Sequence, residues 1–373
     1  MYSFTPYMIF AVQVRCGIRF LLRVELSMLY ICCREVYRVA EDRPLVAVTI
    51  GDPAGIGPEI SVKALGIKDI YSRVRPVLIG ERTVLEQAVR FCGERTKINT
   101  ISEVFDGIYR AGTIDLYDMR NISAGDYRMG KVDPVCGKAS FEYIERAARL
   151  ALEGEVDAVV TAPINKEALK AAHVDYPGHT EILGGLTGVS DPLTMFETNI
   201  LRIFFLSRHL SLLKAIQSIT EGRVYEYIIR CTSALRSLGI EDPLLAVAGL
   251  NPHSGDGGLF GDEEIRSIMP AVKRAQEEGV RVAGPVPADS VFALALRGKY
   301  SAVLSLYHDQ GHIAAKTLDF EKTISITMGL PFLRVSPDHG TAFDIAGTGT
   351  AQEKSMEMAL LAVARYTRNY RID

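Results

Sequence analysis

Short apolar runs alternate with helical patterns along the chain from residue 45 onward. The runs are rich in β-branched residues and span residues 45–50, 76–79, 157–161, 201–206, 244–250, 301–306 and 323–328. The helical patterns span residues 58–65, 140–152, 166–172, 223–238, 262–278 and 351–370. Near-continuous apolar strands separated by helices are typical of a sheet that is covered on both faces. The sequence therefore predicts an α/β fold.

The length of 373 residues exceeds what one hydrophobic core usually fills, so two lobes are expected. No Pro/Gly/Ser-rich linker divides residues 44–373, which we interpret as a body of two interleaved lobes with a shared sheet. Residues 1–43 form an atypical extension, in which Arg15, Arg19 and Arg23 interrupt an apolar stretch too early for the roughly 20 residues of a membrane span. The extension is either dispensable or an extra helix that packs on the body or a partner subunit.

Composition and charge exclude several classes of protein. The net charge of −3 and the absence of long basic runs argue against a nucleic-acid or membrane-surface protein. No Cys-x-x-Cys spacing occurs among the six cysteines, so we expect reduced thiols and a cytoplasmic location; they are Cys16, Cys32, Cys33, Cys92, Cys136 and Cys231. A Walker loop, a nucleophile elbow and a Cys–His pair are all missing, which disfavours nucleotide hydrolysis and covalent acyl transfer.

Three of the seven histidines end apolar runs: His209, His253 and His308. Ligands of open α/β sheets bind beyond the carboxyl ends of strands. If these strands are neighbours, or face each other across a dimer contact, three imidazoles could hold Zn²⁺ or a similar divalent ion with an open position. The alternative, that each is a hydrogen-bonded loop residue, remains open at this stage.

Two carboxylates are candidates for orienting an imidazole or accepting a proton. Asp309 directly follows His308, and Asp289 lies in the predicted loop 284–290. A turn-forming or helix-capping role is at least as good an interpretation of Asp289.

Anion binding is predicted at two places. His179 and Thr180 begin a helical pattern, where free backbone N–H groups favour an anion, although Thr180 could simply cap the helix. Lys316 and Arg334 follow His308 in a segment expected to return to the same rim, and a guanidinium suits a carboxylate or phosphate. The glycine-rich turn 51–57 is interpreted as a tight structural turn.

Several longer motifs occur in order from about residue 45 to the C-terminus. They are Val46-Ala-Val-Thr-Ile-Gly-Asp-Pro-Ala-Gly-Ile-Gly-Pro-Glu, Thr161-Ala-Pro-Ile-Asn-Lys, Tyr176-Pro-Gly-His-Thr-Glu, Gly249-Leu-Asn-Pro-His, Gly261-Asp-Glu-Glu, Tyr307-His-Asp-Gln-Gly and Asp338-His-Gly-Thr-Ala-Phe-Asp-Ile-Ala-Gly. This series resembles the 4-hydroxythreonine-4-phosphate dehydrogenase family. The resemblance implies a two-lobed fold like that of isocitrate and isopropylmalate dehydrogenases, with the active site in the cleft of a homodimer.

The resemblance also implies roles for single residues. It makes the three histidines the ligands of one divalent ion (Zn, Mg, Co or Mn), one of them supplied by the other subunit. Its substrate contacts fall on His179, Thr180, Lys316, Ser325 and Arg334. The NAD-binding loop corresponds to the segment that contains His339, Thr341 and Asp344.

Two departures from the biosynthetic enzymes of the family bear on the substrate. Ser325 stands where they have Asn, and His312-Ile-Ala-Ala-Lys stands where they more often carry a Leu-Pro pair. Both look more like the branch that oxidises 4-phospho-D-threonate or 4-phospho-D-erythronate. His312 itself is interpreted as packing, slightly ahead of an extra polar contact.

The expected reaction is NAD- and metal-dependent oxidation and decarboxylation of a 4-phosphorylated 3-hydroxy acid. Asp309, Asp289 and Lys316 are the acid–base candidates. The alternatives are a dehydrogenase of the same fold that acts on a non-phosphorylated cis-dihydrodiol carboxylate, and a non-catalytic binding protein.

Overall fold

A mixed sheet of twelve strands runs through the described part of the chain, residues 42–123 and 125–371 of a computed structural model. In chain order the strands are β1 Leu45–Thr49, β2 Arg75–Gly80, β3 Lys97–Ile101, β4 Thr113–Asp118, β5 Ala158–Thr161, β6 Leu193–Thr198, β7 Leu201–Phe205, β8 Leu245–Ala248, β9 Val282–Val286, β10 Ala302–Ser305, β11 Ile324–Met328 and β12 Leu333–Pro337. The predicted extension, residues 1–43, lies almost wholly outside the described residues.

The sheet consists of two parallel blocks joined by two strands of alternating direction. Across the sheet the order is β3-β4-β2-β1-β5-β12-β11-β6-β7-β10-β8-β9. In this spatial order, the first six strands, β3, β4, β2, β1, β5 and β12, run parallel to one another and form the first block. The last four strands, β7, β10, β8 and β9, also run parallel to one another and form the second block. Between the blocks, β11 pairs antiparallel with β12 and β6, and β6 pairs antiparallel with β7. The chain leaves the first block after β5 and returns to it only at β12.

Twelve helices connect these strands within the described residues. They are α1 Gly57–Gly66, α2 Lys68–Arg73, α3 Arg82–Cys92, α4 Pro134–Leu152, α5 Lys166–Ala171, α6 His179–Thr187, α7 Leu212–Gln217, α8 Glu221–Ser237, α9 Met269–Glu277, α10 Ala288–Leu296, α11 His308–Leu318 and α12 Lys354–Tyr366. A single π turn, Glu264–Ile268, leads into α9.

Local sequence explains where several helices begin. The side chains of Asp133, Asn165 and Thr220 accept hydrogen bonds from the first turns of α4, α5 and α8. Such caps satisfy backbone N–H groups that a helix cannot pair internally. Pro134 occupies the first helical position of α4, where its missing N–H has no cost.

The strands are buried because side chains pack on both faces of the sheet. A large core cluster includes the fully buried Tyr143 and Phe204. A second cluster, which includes Phe205, Val291 and Val303, lies between the second block and helices α10 and α11. Burial on both faces accounts for the nearly continuous apolar runs in β1, β5, β8 and β10.

The predicted α/β fold with a shared sheet is confirmed. All seven predicted strands and six predicted helices are present, with ends displaced by up to six residues; α4, for example, begins at Pro134 rather than residue 140. Strands β6 and β12 were not predicted because each buries a charged residue, Glu197 and Arg334, which interrupts its apolar run. Edge strand β3 is largely polar and was missed for that reason.

In residues 42–123 and 125–371, no helix combines the length and the apolar character needed to cross a membrane. Of the cysteines, Cys92, Cys136 and Cys231 fall in this part of the chain, and all three are free thiols.

Close packing of α4 on α5 generates a prediction for stability. A Cβ atom at Gly137 would lie 2.1 Å from the backbone oxygen of Ala168, so Gly137→Ala must push the two helices apart. We expect a loss of about 1–3 kcal/mol in the free energy of unfolding, measured by urea denaturation. The matched control is Gly222→Ala in α8, where the added Cβ meets nothing within 4 Å and should be neutral or stabilising. Equal stability of the two variants would contradict this packing.

Candidate active site

The three candidate metal ligands follow the ends of three adjacent parallel strands. His209 follows β7, His308 follows β10 and His253 follows β8, and β10 pairs with both of the others. Parallel neighbours end at the same edge of a sheet, so the three loops emerge side by side. The role of the histidines as ligands remains a prediction.

His308 has the best-defined surroundings of the three. Its Nδ1 lies 2.6 Å from Oδ1 of Asp309, which leaves Nε2 as the nitrogen available to a ligand. One turn later in α11, the ring of His312 stacks on the ring of His308, with centroids 3.8 Å apart. His312 in turn contacts the rings of Phe196 and Phe205, and burial lowers its pKa to about 3. His312 is therefore a neutral packing residue that supports the His308 ring.

His209 lies on an exposed loop but close to other charged groups. Burial lowers its pKa, and the positive charges of Arg208 and Lys166 lower it further, against the opposing effect of Glu181. A neutral imidazole is the form that binds a metal ion.

His253 belongs to a left-handed turn. Residues 253–257 all have positive φ values, and three of these residues, His253, Ser254 and Asp256, are not glycine. The buried carboxylate of Glu264 supports the strand end before this turn by accepting hydrogen bonds from the backbone N–H groups of Leu250 and Asn251, at 2.8 and 2.7 Å. Left-handed conformations of this kind are unfavourable for L-residues and persist only where neighbouring contacts hold them.

The described part of one chain does not bring three metal-binding side chains together. Among the described residues, no three His, Cys, Asp or Glu side chains are close enough together to hold a metal ion. The donor types nevertheless suit zinc and similar divalent ions, because all three are imidazoles.

A cavity of about 500 Å³ brings several of the other candidates together. Its wall includes Lys166, His179, Lys316, Asp338 and His339. Nζ of Lys316 lies 3.0 Å from Oδ2 of Asp338. Burial raises the pKa of Asp338, and the Lys316 ammonium works against that rise. A second positive charge on this wall, Lys166, forms no ion pair with a carboxylate among the described residues.

His179 presents a buried nitrogen without a partner. Burial lowers its pKa well below the usual value, and the positive charge of Arg334 lowers it further. Its Nε2 atom is buried and lacks a hydrogen-bond partner among the described residues. A buried polar atom of this kind is costly unless a ligand or water satisfies it.

Arg334 places a guanidinium in the middle of the sheet. The residue is 4% exposed, and its guanidinium donates hydrogen bonds to hydroxyl groups: Oγ1 of Thr161, at 2.6 and 3.0 Å, and Oγ1 of Thr327, at 3.1 Å. Burial lowers the pKa of Arg334 to about 10, which the charge of Glu181 partly offsets. Hydroxyl groups do not neutralise this charge, so the arrangement favours an anion nearby.

Ser325 faces the same side of the sheet as Arg334. In the antiparallel pairing of β11 with β12, Ser325 lies opposite Ser336 and Thr327 lies opposite Arg334. Residues two apart on a strand share a face, and opposite residues point the same way. Since Ser336 lines the cavity, Ser325 stands beside it.

The remaining candidates are more scattered. Thr180 lines a separate cavity of about 510 Å³, together with Arg208. Asp289 is exposed and lies in the first turn of α10, so its predicted position in a loop is wrong: the helix begins at Ala288, directly after Pro287. Asp309 is exposed and bonded to His308.

The predicted cofactor loop is fixed to helix α1. The carbonyl of Thr341 accepts a hydrogen bond from Ile56 N–H at 3.0 Å, and Lys63 Nζ donates to the carbonyls of Gly349 and Ala351, at 2.6 and 2.7 Å. Thr341 is buried and Asp344 is exposed. His339, at the start of this loop, lines the cavity of Lys316, so a molecule in the loop would adjoin that cavity.

Sequence reasoning missed two residues of the site and one spacing. Lys166 and Asp338 are parts of quoted motifs but received no role, although each follows the end of a strand. The pair His308 and His312 was also overlooked, although a spacing of four residues is the signal of side chains one helical turn apart.

Comparison with known proteins places these features in a family. The family model described as "Pyridoxal phosphate biosynthetic protein PdxA" matches residues 72–363. The chain belongs to the PdxA family. All the residues assigned to the cavity and to the three histidine loops lie within this match.

Individual relatives cover nearly the whole described chain. A protein from Symbiobacterium thermophilum named "Putative D-threonate 4-phosphate dehydrogenase" is 58% identical over 331 residues, which are 89% of this chain and 99% of that protein. The crystal structure of 4-hydroxythreonine-4-phosphate dehydrogenase from Klebsiella pneumoniae is 41% identical, with a TM-score of 0.81 and coverage of 88% and 99%. A terephthalate 1,2-cis-dihydrodiol dehydrogenase from Burkholderia xenovorans is 29% identical, with a TM-score of 0.58 and coverage of 87% and 98%.

The buried positive charge of Arg334, which donates hydrogen bonds to hydroxyl groups, leads to a prediction for anion binding. Phosphate should raise the melting temperature of the wild type, and Arg334→Met should abolish this rise. The substitution should not lower the free energy of unfolding, because it removes a buried charge that has no carboxylate partner. Both quantities can be measured by thermal and urea unfolding in a phosphate titration.

Arg202→Met is the matched control for this prediction. Arg202 is also largely buried, but its Nε lies 2.9 Å from a carboxylate oxygen of Glu197. Its loss should lower the free energy of unfolding and leave the phosphate effect intact. Undiminished stabilisation of Arg334→Met by phosphate would contradict the assignment.

Proposed function

We propose that this protein is a dehydrogenase that oxidises the C3 hydroxyl of 4-phospho-D-threonate, with NAD as the oxidant and a divalent metal ion as cofactor. Oxidation would give a β-keto acid, which then loses CO₂. The observation that carries the proposal is the buried guanidinium of Arg334, which donates hydrogen bonds to hydroxyl groups, beside a cavity whose wall includes Lys166 and Lys316. The names of the relatives support a dehydrogenase and, in the most similar proteins, a phosphorylated hydroxy acid.

The charges of the cavity favour a hydroxy acid over an amino acid. Lys316 is paired with Asp338, whereas Lys166 and the nearby Arg334 form no ion pair among the described residues. Glu181 offsets only part of the remaining positive charge. This surplus of positive charge suits a phosphate and a carboxylate and disfavours an ammonium group at C2. A C2 hydroxyl adds no charge, and the hydroxyls of Ser325 and Ser336 could pair with it.

Each residue of the cavity has a task in this proposal. Arg334, Lys166 and the unpartnered Nε2 of His179 would bind the anionic groups. Lys316, with Asp338 at 3.0 Å, is the best-placed group to exchange a proton with the substrate. Asp309 would orient His308 rather than act as a base, because its carboxylate is engaged by Nδ1. Asp289 is left as a candidate without a contact that supports it.

The metal and the nicotinamide cofactor would be held by different loops. The donors fit a divalent ion if two subunits share the site, with His209, His253 and His308 as ligands. A bound ion would acidify the C3 hydroxyl and polarise the carbonyl formed from it. NAD would accept the hydride and would lie along the loop that contains His339, Thr341 and Asp344.

A shared site requires a homodimer, and the histidine loops offer a surface for it. Exposed apolar side chains follow two of the histidines within seven residues: Leu210, Leu212 and Leu213 after His209, and Leu259 and Phe260 after His253. Exposed apolar side chains of this kind usually mark an interface.

Sedimentation should show a dimer for the wild type. Leu213→Asp combined with Leu259→Asp should give a monomer that loses activity, because each site would lack the ligand from the other subunit. A fully active monomer would contradict a shared site.

The proposed reaction is tested by NADH formation with purified, metal-loaded protein. The substrates compared are 4-phospho-D-threonate, 4-phospho-D-erythronate, 4-phosphohydroxy-L-threonine and a cis-dihydrodiol carboxylate. We expect the highest kcat/KM with 4-phospho-D-threonate, no activity after metal removal, and no activity in His209→Ala. Preference for the amino substrate would contradict the charge argument, and preference for the dihydrodiol would contradict a phosphate site. No turnover with any substrate would favour a binding protein.

A further inference from the structure

Side-chain hydrogen bonds continue the sheet beyond the ends of the three strands that precede the candidate ligands. Backbone pairing of β10 with β8 stops at Leu304 and Val247, and its pairing with β7 stops at Ser305 and Phe205. The loops diverge from there toward the histidines. Each loop end would leave buried backbone groups unpaired, which costs free energy unless side chains replace the ladder.

The side chain of Gln310 joins the loops of His308 and His253 by hydrogen bonds where backbone pairing has ended. Its Oε1 accepts from Leu306 N–H at 2.7 Å, and its Nε2 donates to the carbonyl of Gly249 at 2.8 Å. The side chain is 9% exposed, and Leu306 is fully buried. Both bonds lie close to candidate ligands, because Leu306 is two residues before His308 and Gly249 is four residues before His253.

The side chain of Ser207 joins the loops of His209 and His308 by a hydrogen bond where backbone pairing has ended. Its Oγ donates to the carbonyl of Leu306 at 2.9 Å, and the residue is 5% exposed. The peptide groups of Leu306 are thus held from both sides, by Ser207 and by Gln310. The three bonds form one chain that crosses all three histidine loops.

We infer that Gln310 and Ser207 are positioning residues that hold the three histidine loops of one subunit in place, so that each loop presents its imidazole to a metal site shared by two subunits, and that they thereby tune the affinity of this site. This inference rests on the proposed metal role of His209, His253 and His308. Neither residue would touch the metal ion or the substrate. Outer contacts that orient metal ligands typically contribute 10–100-fold to metal affinity.

The structure offers a matched control on the same strands. At the opposite end of β10, Oγ of Ser301 accepts a hydrogen bond from Leu244 N–H at 3.1 Å, which joins β10 to the start of β8. Ser301→Ala removes one serine hydrogen bond between neighbouring strands, as Ser207→Ala does, but far along β10 from the histidines. Any general loss of sheet stability should therefore appear in both variants.

The experiment measures binding of Zn²⁺ and Co²⁺ to metal-free, full-length protein by calorimetry and by the d–d absorption of bound Co²⁺. We expect Ser207→Ala and Gln310→Met to weaken metal binding about 10–100-fold and to shift the Co²⁺ bands, whereas Ser301→Ala keeps the wild-type affinity and spectrum. Urea unfolding of the metal-free variants reports general stability, and sedimentation checks that the oligomeric state is unchanged.

The outcomes separate this inference from the proposed function. If the wild type binds metal and His308→Ala does not, but Ser207→Ala and Gln310→Met match Ser301→Ala in affinity and spectrum, the positioning role is wrong and the metal role stands. If His308→Ala binds metal as tightly as the wild type, the metal role of the histidines fails, and the positioning role fails with it. Should Gln310→Met not fold, Ser207→Ala decides alone, since it removes only one hydroxyl group.

Discussion

The burial of one guanidinium in the centre of the sheet is the constraint on which the site depends. Arg334 can be buried only because Thr161 of β5 and Thr327 of β11 flank it on either side. These contacts need the order β5-β12-β11, which is also the place where the sheet changes from one parallel block to the other. The same three strands therefore determine the fold and supply one wall of the cavity. A substitution that removed the positive charge of Arg334 would remove the free-energy cost of burying it. The same substitution would remove the attraction of this charge for an anion.

The reversal of strand direction sends the carboxyl ends of the two parallel blocks to opposite edges of the sheet, so another element must bridge the two groups of functional residues. Lys166 and Asp338 follow strands of the first block, whereas the three histidines follow strands of the second. Helix α11 connects the groups, since it starts with His308 at the end of β10 and carries Lys316 to Asp338 at the end of β12. Neither block contains a complete site alone.

Much of this arrangement was open to prediction from the sequence, and the remainder failed for physical reasons. Strands such as β1 and β10 were recognised because burial on both faces leaves only apolar side chains. Strands β6 and β12 were not recognised because Glu197 and Arg334 are buried by tertiary contacts that no local pattern reveals. The histidines were found from their place after apolar runs, and parallel pairing brings their loops together. Asp338 and Lys166 were missed, since a charged residue after a strand resembles any solvated loop residue until a cavity forms around it.

Helix α11 also has a thermodynamic consequence. His308 and Lys316 lie on one rigid helix, about 12 Å apart along its axis at the usual rise per residue. A displacement of the helix that improves the geometry at one end must change the geometry at the other. If a metal ion binds at His308 and an anion at Lys316, as proposed above, their occupancies are linked, and linkage is reciprocal: the factor by which the anion tightens the metal ion equals the factor by which the metal tightens the anion. Natural selection for a tighter metal site or for a tighter anion site would therefore change the affinity of both sites.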